Sequence, residues 1–320
     1  MKHYIEAARL RTLPLSVSGI IVGSMYALAN PTENILTPTE VFSWTIFGLA
    51  LLTTLGLQVL SNFANDYGDG VKGTDNEDRV GPKRAIQSGV ITPKAMKKAI
   101  IITSIATLIA AILLIYVSFL DSNIFYSLFF LILGVVAIIA AISYTVGKSA
   151  YGYHGLGDVF VFIFFGLVST LGVHFLYTKQ MDSKLFLPAI AIGLLSTGVL
   201  NLNNMRDQVS DKKSNKNTIV VKIGAENAKK YHYFLILSAM ILVVIFAVIS
   251  QYRVDQYLFI IAFIPLIKHL KTVNDTKNHK DLDPELKKLA LSTFALAIVL
   301  SICMVSLVQD LFVNLFLGGR

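Results

Sequence analysis

Long apolar runs, each closed by a short polar or charged interval, pattern this chain from end to end. They are Thr12–Ala29, Val41–Asn62, Ala99–Leu120, Ile124–Tyr144, Val159–Tyr177, Leu185–Asn201, Tyr231–Gln251, Tyr257–Ile267 and Leu289–Val308. A membrane-crossing helix needs about 20 mostly apolar residues, so eight of these runs predict spanning helices. The run Tyr257–Ile267 stops early at Lys268, and its periodicity alone leaves it open.

Charge placement decides the count. Lysine and arginine gather before the first run (Lys2, Arg9, Arg11), between the second and third, between the sixth and seventh, and between the eighth and ninth. The alternate connections are poor in cations. With nine spans every rich segment falls on one side, which the positive-inside rule makes cytoplasmic. Dropping the eighth span would strand six lysines outside. The expectation is an all-α polytopic membrane protein over 1–320: one domain, nine helices, N-terminus cytoplasmic, C-terminus outside.

Composition agrees: 54% of the 320 residues are hydrophobic and 15% charged, against about 25% charged in soluble domains. The start shows no signal-peptide pattern, so Thr12–Ala29 reads as a first span. The lone cysteine, Cys303, excludes an intrachain disulfide. A net charge of +8 suggests nucleic acid or anionic lipid, but its confinement to alternate connections assigns it to topology and argues against nucleic acid.

Two stretches break the pattern. Asn62-Phe-Ala-Asn65-Asp66-Tyr-Gly-Asp69, continuing to Asp75, follows the second run; Asn203-Asn204-Met-Arg206-Asp207-Gln-Val-Ser-Asp211 follows the sixth. Their offset by four helices suggests two weakly related halves. If the helices continue through them, Asn62, Asp66 and Asp69 share one face, as do Asn203, Asp207 and Asp211. Like charges so spaced destabilise a bare helix. A hard divalent cation removes that penalty, and carboxylate oxygen is what Mg²⁺ prefers. Each cluster alone leaves the ion short of ligands, so a substrate phosphate completes it, with Lys72, Arg84, Arg206 and Lys216 placed for its other oxygens. The competing reading is solvated loop acids paired to nearby lysines; two such clusters on same-side helix ends weigh against it.

On these residues the chain resembles the UbiA superfamily of intramembrane prenyltransferases, which join an allylic prenyl diphosphate to an acceptor ring. Asn65, Asp66 and Asp69 match the family's first aspartate motif, and Asp207 and Asp211 its second. Gly73 stands where the first motif's third acid is expected, and the acid comes at Asp75. That variant, with Arg79-x-Gly81-Pro82-x-Arg84-x-x-Gln87-Ser88-Gly89, Arg11-Thr12-Leu13-Pro14 and Tyr153-x-Gly155-Leu156-Gly157-Asp158, is similar to the branch acting on 1,4-dihydroxy-2-naphthoate in menaquinone synthesis.

The resemblance implies Mg²⁺, two ions held by Asp66, Asp69, Asp207 and Asp211, with Asn62, Asn65 and Asn204 as supporting ligands and Asp75 as a displaced third acid. It implies polyprenyl diphosphate and dihydroxynaphthoate as substrates, loss of the ring carboxylate as CO₂, and demethylmenaquinone and pyrophosphate as products, in the cell's inner membrane. Lys72, Arg84 and Arg206 lie near phosphate or acceptor carboxylate. Asp158 is either a first-turn acid or an acceptor-side group; Tyr144 either shields the cation or anchors at the lipid interface. Phe160–Phe165 reads as packing or tunnel wall, Arg9 and Arg11 as interfacial anchors, and His154, His174 and His232 as unclustered. Another acceptor, such as 4-hydroxybenzoate, is the nearest alternative. A secondary transporter is the other class, and the lack of charge within the spans disfavours it. Prenyl length and oligomeric state are not legible.

Overall fold

The computed structural model describes residues 2–30, 43–74, 80–81, 83–120 and 122–305, and among them every regular element is helical. A short helix α1 (Lys2–Ala7) leads into α2 (Leu13–Ala29). Then come α3 (Trp44–Lys72), α4 (Pro93–Phe119), α5 (Ile124–Ser143), α6 (Gly157–Thr178) and α7 (Phe186–Lys213). The short α8 (Ile219–Ile223) precedes α9 (Ala225–Ile249), α10 (Val254–Asp275) and α11 (Asp283–Met304). Local chemistry sets the boundaries. Ser43, Thr92 and Asn123 accept backbone N–H bonds at the starts of α3, α4 and α5, filling donors that a helix start leaves unmet.

Among the described residues, eight helices are long and apolar enough to cross a membrane, and α2, with 17 residues, is a shorter apolar one. The weakness is therefore not where the sequence placed it. The doubtful Tyr257–Ile267 run is part of the 22-residue α10, which opens as a 3₁₀ stretch over Val254–Ala262 and so extends further per residue.

Burial divides the bundle. The largest core joins α7, α9, α10 and α11 to parts of α2 and α6, with Leu195, Leu202, Phe246 and Phe259 fully enclosed. Helix α5 is the opposite: Phe125, Leu128, Phe129, Ile132 and Ile139 all point outward, which suits a hydrocarbon solvent. A buried polar chain ties the C-terminal helices. Asn201 Nδ2 donates to His232 Nδ1 (3.4 Å), His232 and His269 meet through their Nε2 atoms (2.8 Å), and His269 Nδ1 meets Glu285 (2.6 Å). Donor and acceptor roles match along it if both imidazoles are neutral. Of the three histidines read as unclustered, His232 thus has a partner, His269, but it lies away from the cavity described next.

Helices α2 to α6, with Leu200 of α7, line a cavity of about 310 Å³. Its wall on α6 is π-helical over Phe162–Gly172, a wider turn that is rare outside functional regions.

Candidate active site

Both acidic clusters lie on helices that run past their apolar segments. Helix α3 continues ten residues beyond Asn62 to Lys72, and α7 continues beyond Asn201 to Lys213. The helices therefore continue through both clusters: Asn62, Asp66, Asp69, Asp207 and Asp211 are buried, Asn204 is buried with them, and Asn203, expected on the second face, is half-buried. Gly73 ends α3 in the left-handed region (φ 72°), with Gly73 N–H reaching Gly70 O and Thr74 N–H donating to Asp69 O at 3.0 Å. A side chain there would be strained, which is a physical reason for glycine where an acid was expected. Asp75 lies outside the described residues.

Each acid has a distinct set of partners. Asp66 accepts from the backbone amides of Ala85 (3.0 Å) and Ile86 (3.2 Å), so it pins the segment after Lys83 onto α3. Asp69 accepts from Arg84 Nη1 (2.9 Å) on one oxygen and from the Tyr153 hydroxyl (2.7 Å) on the other. Arg84 also donates to the Asn65 carbonyl at 2.7 Å. On α7, Asp207 pairs with Arg206, which reaches on to Asn203 (2.9 Å) and to Asp283 at the start of α11 (2.5 Å).

One side chain joins the clusters. Lys216 Nζ lies 3.8 Å from Asp69 and 3.6 Å from Asp211. Burial opposes its charge, but those two carboxylates outweigh it and hold its ammonium above the ordinary lysine range. The sequence treated Lys216 as one cation among four; the structure puts it at the centre. Lys72 donates to the Thr145 carbonyl (2.8 Å) and lies over the Tyr153 ring. This contact depends on close approach of backbones: a Cβ on Gly68 would stand 2.6 Å from Thr145 Oγ1.

The remaining expected residues fall around the cavity mouth or beside it. Asn62 donates to the Ala8 carbonyl (2.9 Å), and Asn65 accepts from Thr145 Oγ1 (3.2 Å); both line the cavity with Gln58, Ser61 and Tyr144. Tyr144 meets Tyr151 edge-on, Tyr151 stacks on Phe160 at 4.0 Å, and Phe160 on Phe164 at 6.2 Å, an aromatic column along the wall. Deeper in, Leu114, Phe130, Val173 and Leu176 make the lining apolar. Asp158 instead accepts from Tyr231 on α9 (3.3 Å). Arg9, expected as an anchor alone, sits in left-handed backbone (φ 52°) and is near enough to act electrostatically on Asp69.

No group of three histidine, cysteine or acidic side chains converges among the described residues. Yet Asp211 Oδ2 and Asn204 Oδ1, two turns apart on α7, are buried and accept no hydrogen bond. Orphaned hard oxygens beside further carboxylates fit an oxygen-preferring divalent cation that takes its other ligands from a substrate.

Residues 32–287 match the UbiA prenyltransferase family. The chain belongs to that family. It is 41% identical over 303 residues to the 1,4-dihydroxy-2-naphthoate octaprenyltransferase of Haemophilus influenzae, covering 94% of this chain and 95% of that one. It is 43% identical over 270 residues to the protein of the same name from Escherichia coli, covering 84% of each. Among solved structures, a UbiA homolog from Aeropyrum pernix K1 matches with a TM-score of 0.65 at 16% identity, over 95% of this chain and 99% of that one. A UbiA homolog from Archaeoglobus fulgidus bound to DMAPP and Mg²⁺ matches at 0.59 and 16%, over 94% and 99%. The structural matches establish a UbiA fold, and the chain is a prenyltransferase by family.

Sequence reasoning missed Tyr153, Thr145 and Gln58. Tyr153 stood inside a quoted motif, and its chemistry was invisible because its partner Asp69 is 84 residues away.

Proposed function

We propose that this chain transfers a polyprenyl group from its diphosphate to 1,4-dihydroxy-2-naphthoate, with loss of CO₂. The observation that carries the reading is Lys216, which holds Asp69 of α3 and Asp211 of α7 at once beside the polar mouth of an otherwise apolar cavity. That arrangement suits an amphipathic substrate with an anionic head and a long apolar tail. The acceptor rests on the names of the relatives that are 41 and 43% identical.

In the reaction, the allylic C–O bond breaks and its electron pair leaves with diphosphate. A ring π pair forms the new C–C bond at the carbon bearing the carboxylate. The C–CO₂ bond then breaks, its pair restores aromaticity, and the product is demethylmenaquinone in its quinol form. No net proton is exchanged, so the chain need supply no general base. Lys216, Lys72 and Arg84 would bind the diphosphate oxygens, and Asp66, Asp69, Asp207 and Asp211, with Asn204, would hold Mg²⁺, two ions in this reading. Bound there, Mg²⁺ neutralises charge on the leaving diphosphate. Tyr144, Tyr151 and Phe160 present π faces that stabilise an allylic cation, and the apolar walls keep water from it. Arg206, engaged by Asp207 and Asp283, positions the second cluster.

The cation distribution, together with α2 as a ninth apolar helix, supports nine crossings with the N-terminus and the aspartates on the cytoplasmic side and the C-terminus outside. Residues 1–320 then form one catalytic domain in the cytoplasmic membrane, with acidic clusters on two related halves.

Purified protein in detergent, given an allylic prenyl diphosphate and Mg²⁺, is offered dihydroxynaphthoate or 4-hydroxybenzoate. Release of pyrophosphate and CO₂ with the first alone is expected. Turnover of the second alone would overturn the acceptor assignment.

A further inference from the structure

The Tyr153 side chain meets four neighbours at this site, and nothing in the chemistry above assigns it a task. Its hydroxyl donates to Asp69 Oδ1 (2.7 Å) and lies 2.6 Å from Thr74 Oγ1, which must then be the donor of that second bond. Lys72 Nζ stands 4.1 Å from its ring centroid and Lys216 Nζ 5.6 Å away. Its carbonyl accepts from Asn217 N–H at 3.0 Å. One residue thus touches the end of α3 and the segment after α7, the two elements that carry the acidic clusters.

Two ammonium groups beside one ring repel each other and need a reason to stay. Asp69 and Asp211 hold the Lys216 ammonium, and the ring's negative face adds attraction for both cations. Lys72 gives its other contact to a carbonyl, which leaves its charge intact. At Lys72, a carboxylate in place of the ring would cancel charge that a diphosphate has to meet.

We propose that Tyr153 is a positioning residue for the diphosphate: its ring keeps the Lys72 and Lys216 ammonium groups assembled, and its hydroxyl orients Asp69. The ligand class is a diphosphate monoester, and the proposal rests on the prenyl-transfer reading. The ring and the hydroxyl do separable work. Tyr153→Phe keeps the ring and loses the bond to Asp69; Tyr153→Leu loses both.

The test measures inorganic pyrophosphate binding in the presence of Mg²⁺, by its effect on thermal unfolding of the full chain in detergent, alongside KM for each substrate and the Mg²⁺ concentration giving half-maximal rate. Tyr153→Leu should weaken pyrophosphate binding and raise KM for the prenyl diphosphate by about tenfold, the scale of losing two cation–π contacts, while KM for the acceptor holds. Tyr153→Phe should keep pyrophosphate affinity within about threefold and shift the Mg²⁺ half-saturation several-fold, since hydrogen bonds to charged groups are the stronger ones. Equal changes in both KM values, or wild-type pyrophosphate affinity in Tyr153→Leu, would overturn the proposal. Should the leucine variant not fold, Tyr153→Phe decides: an unshifted Mg²⁺ half-saturation would overturn it. Pyrophosphate binding is read whatever the acceptor proves to be, so failure of the naphthoate assignment stays distinguishable.

Discussion

Replacing Lys216 with methionine is the sharpest perturbation the site allows. The ammonium is buried and lies within salt-bridge distance of both Asp69 and Asp211. Methionine preserves the stem's volume and removes the charge, leaving two buried carboxylates without their shared partner. Removing one member of a buried ion pair costs about 3–5 kcal/mol. Arg84 still binds Asp69 at 2.9 Å, so the lower end of that range is expected. At about 2 °C per kcal/mol for a chain of this size, the loss is roughly 5–10 °C in unfolding temperature. The readout is built in: Cys303 is the chain's only cysteine and is buried, so a thiol-reactive fluorophore reports unfolding.

The same charge argument predicts a rescue. With the ammonium gone, a divalent cation is the available group that can neutralise Asp69 and Asp211 together. Mg²⁺ at about 100 times its dissociation constant returns about 2.7 kcal/mol. Lys216→Met should therefore melt well below wild type in chelator and recover most of the difference in millimolar Mg²⁺. Wild type should respond much less to the same addition. A variant as stable as wild type in chelator, or equal Mg²⁺ responses in the two proteins, would refute the placement of Lys216 between the clusters.

Three further outcomes follow from the same geometry. Asp69→Asn and Asp211→Asn should each lower kcat by about 10²–10³-fold, the scale of losing one element of leaving-group stabilisation, in a prenyl-transfer assay with expression near wild type; full activity in either would remove the two-cluster site. Asp66→Asn sets an amide N–H₂ against the backbone amides of Ala85 and Ile86, so about 1–3 kcal/mol of anchoring is lost, visible as faster hydrogen exchange over residues 83–91. Gly68→Ala drives a Cβ to 2.6 Å from Thr145 Oγ1; overpacking of this kind costs about 1–3 kcal/mol, read as a lower unfolding temperature with α3 displaced from the turn after α5.

What the sequence made legible is what membrane physics penalises. Apolar runs predicted the spanning helices, and carboxylates beside such runs are costly enough to single out Asp66, Asp69, Asp207 and Asp211 as candidate site residues. Helix ends are less legible for the same reason. The apolar runs stop at Asn62 and Asn201 and leave the continuation of each helix conditional, yet α3 and α7 run on to Lys72 and Lys213 because tertiary partners satisfy the polar residues. Asp66 illustrates the limit: its partners are the amides of Ala85 and Ile86, and backbone donors leave no mark in a sequence. Arg206 illustrates another, since its pairing with Asp283 spans 77 positions and draws it toward α11.

Charge balance within the site bears on how ligands must enter it. Asp69, Asp207 and Asp211 are paired with Arg84, Arg206 and Lys216, while Asp66 is held by backbone amides and Lys72 lies alongside. A free divalent cation would find its carboxylates already shared with lysine and arginine, and a free diphosphate would find its cations shared with aspartate. Either alone adds unbalanced charge to a buried region, where compensation matters most. Arriving together they cancel, and each frees the groups the other needs: diphosphate draws Lys216 away from Asp69 and Asp211, and the cation takes those oxygens. Stabilisation of wild type by Mg²⁺ and pyrophosphate together should therefore exceed the sum of their separate effects in the same unfolding assay. Coupling between two ligands is reciprocal, so pyrophosphate must tighten Mg²⁺ binding by the factor with which Mg²⁺ tightens pyrophosphate. In Lys216→Met that factor should shrink, because the group both ligands have to displace is gone; strictly additive effects in wild type would show that Lys216 does not stand between them.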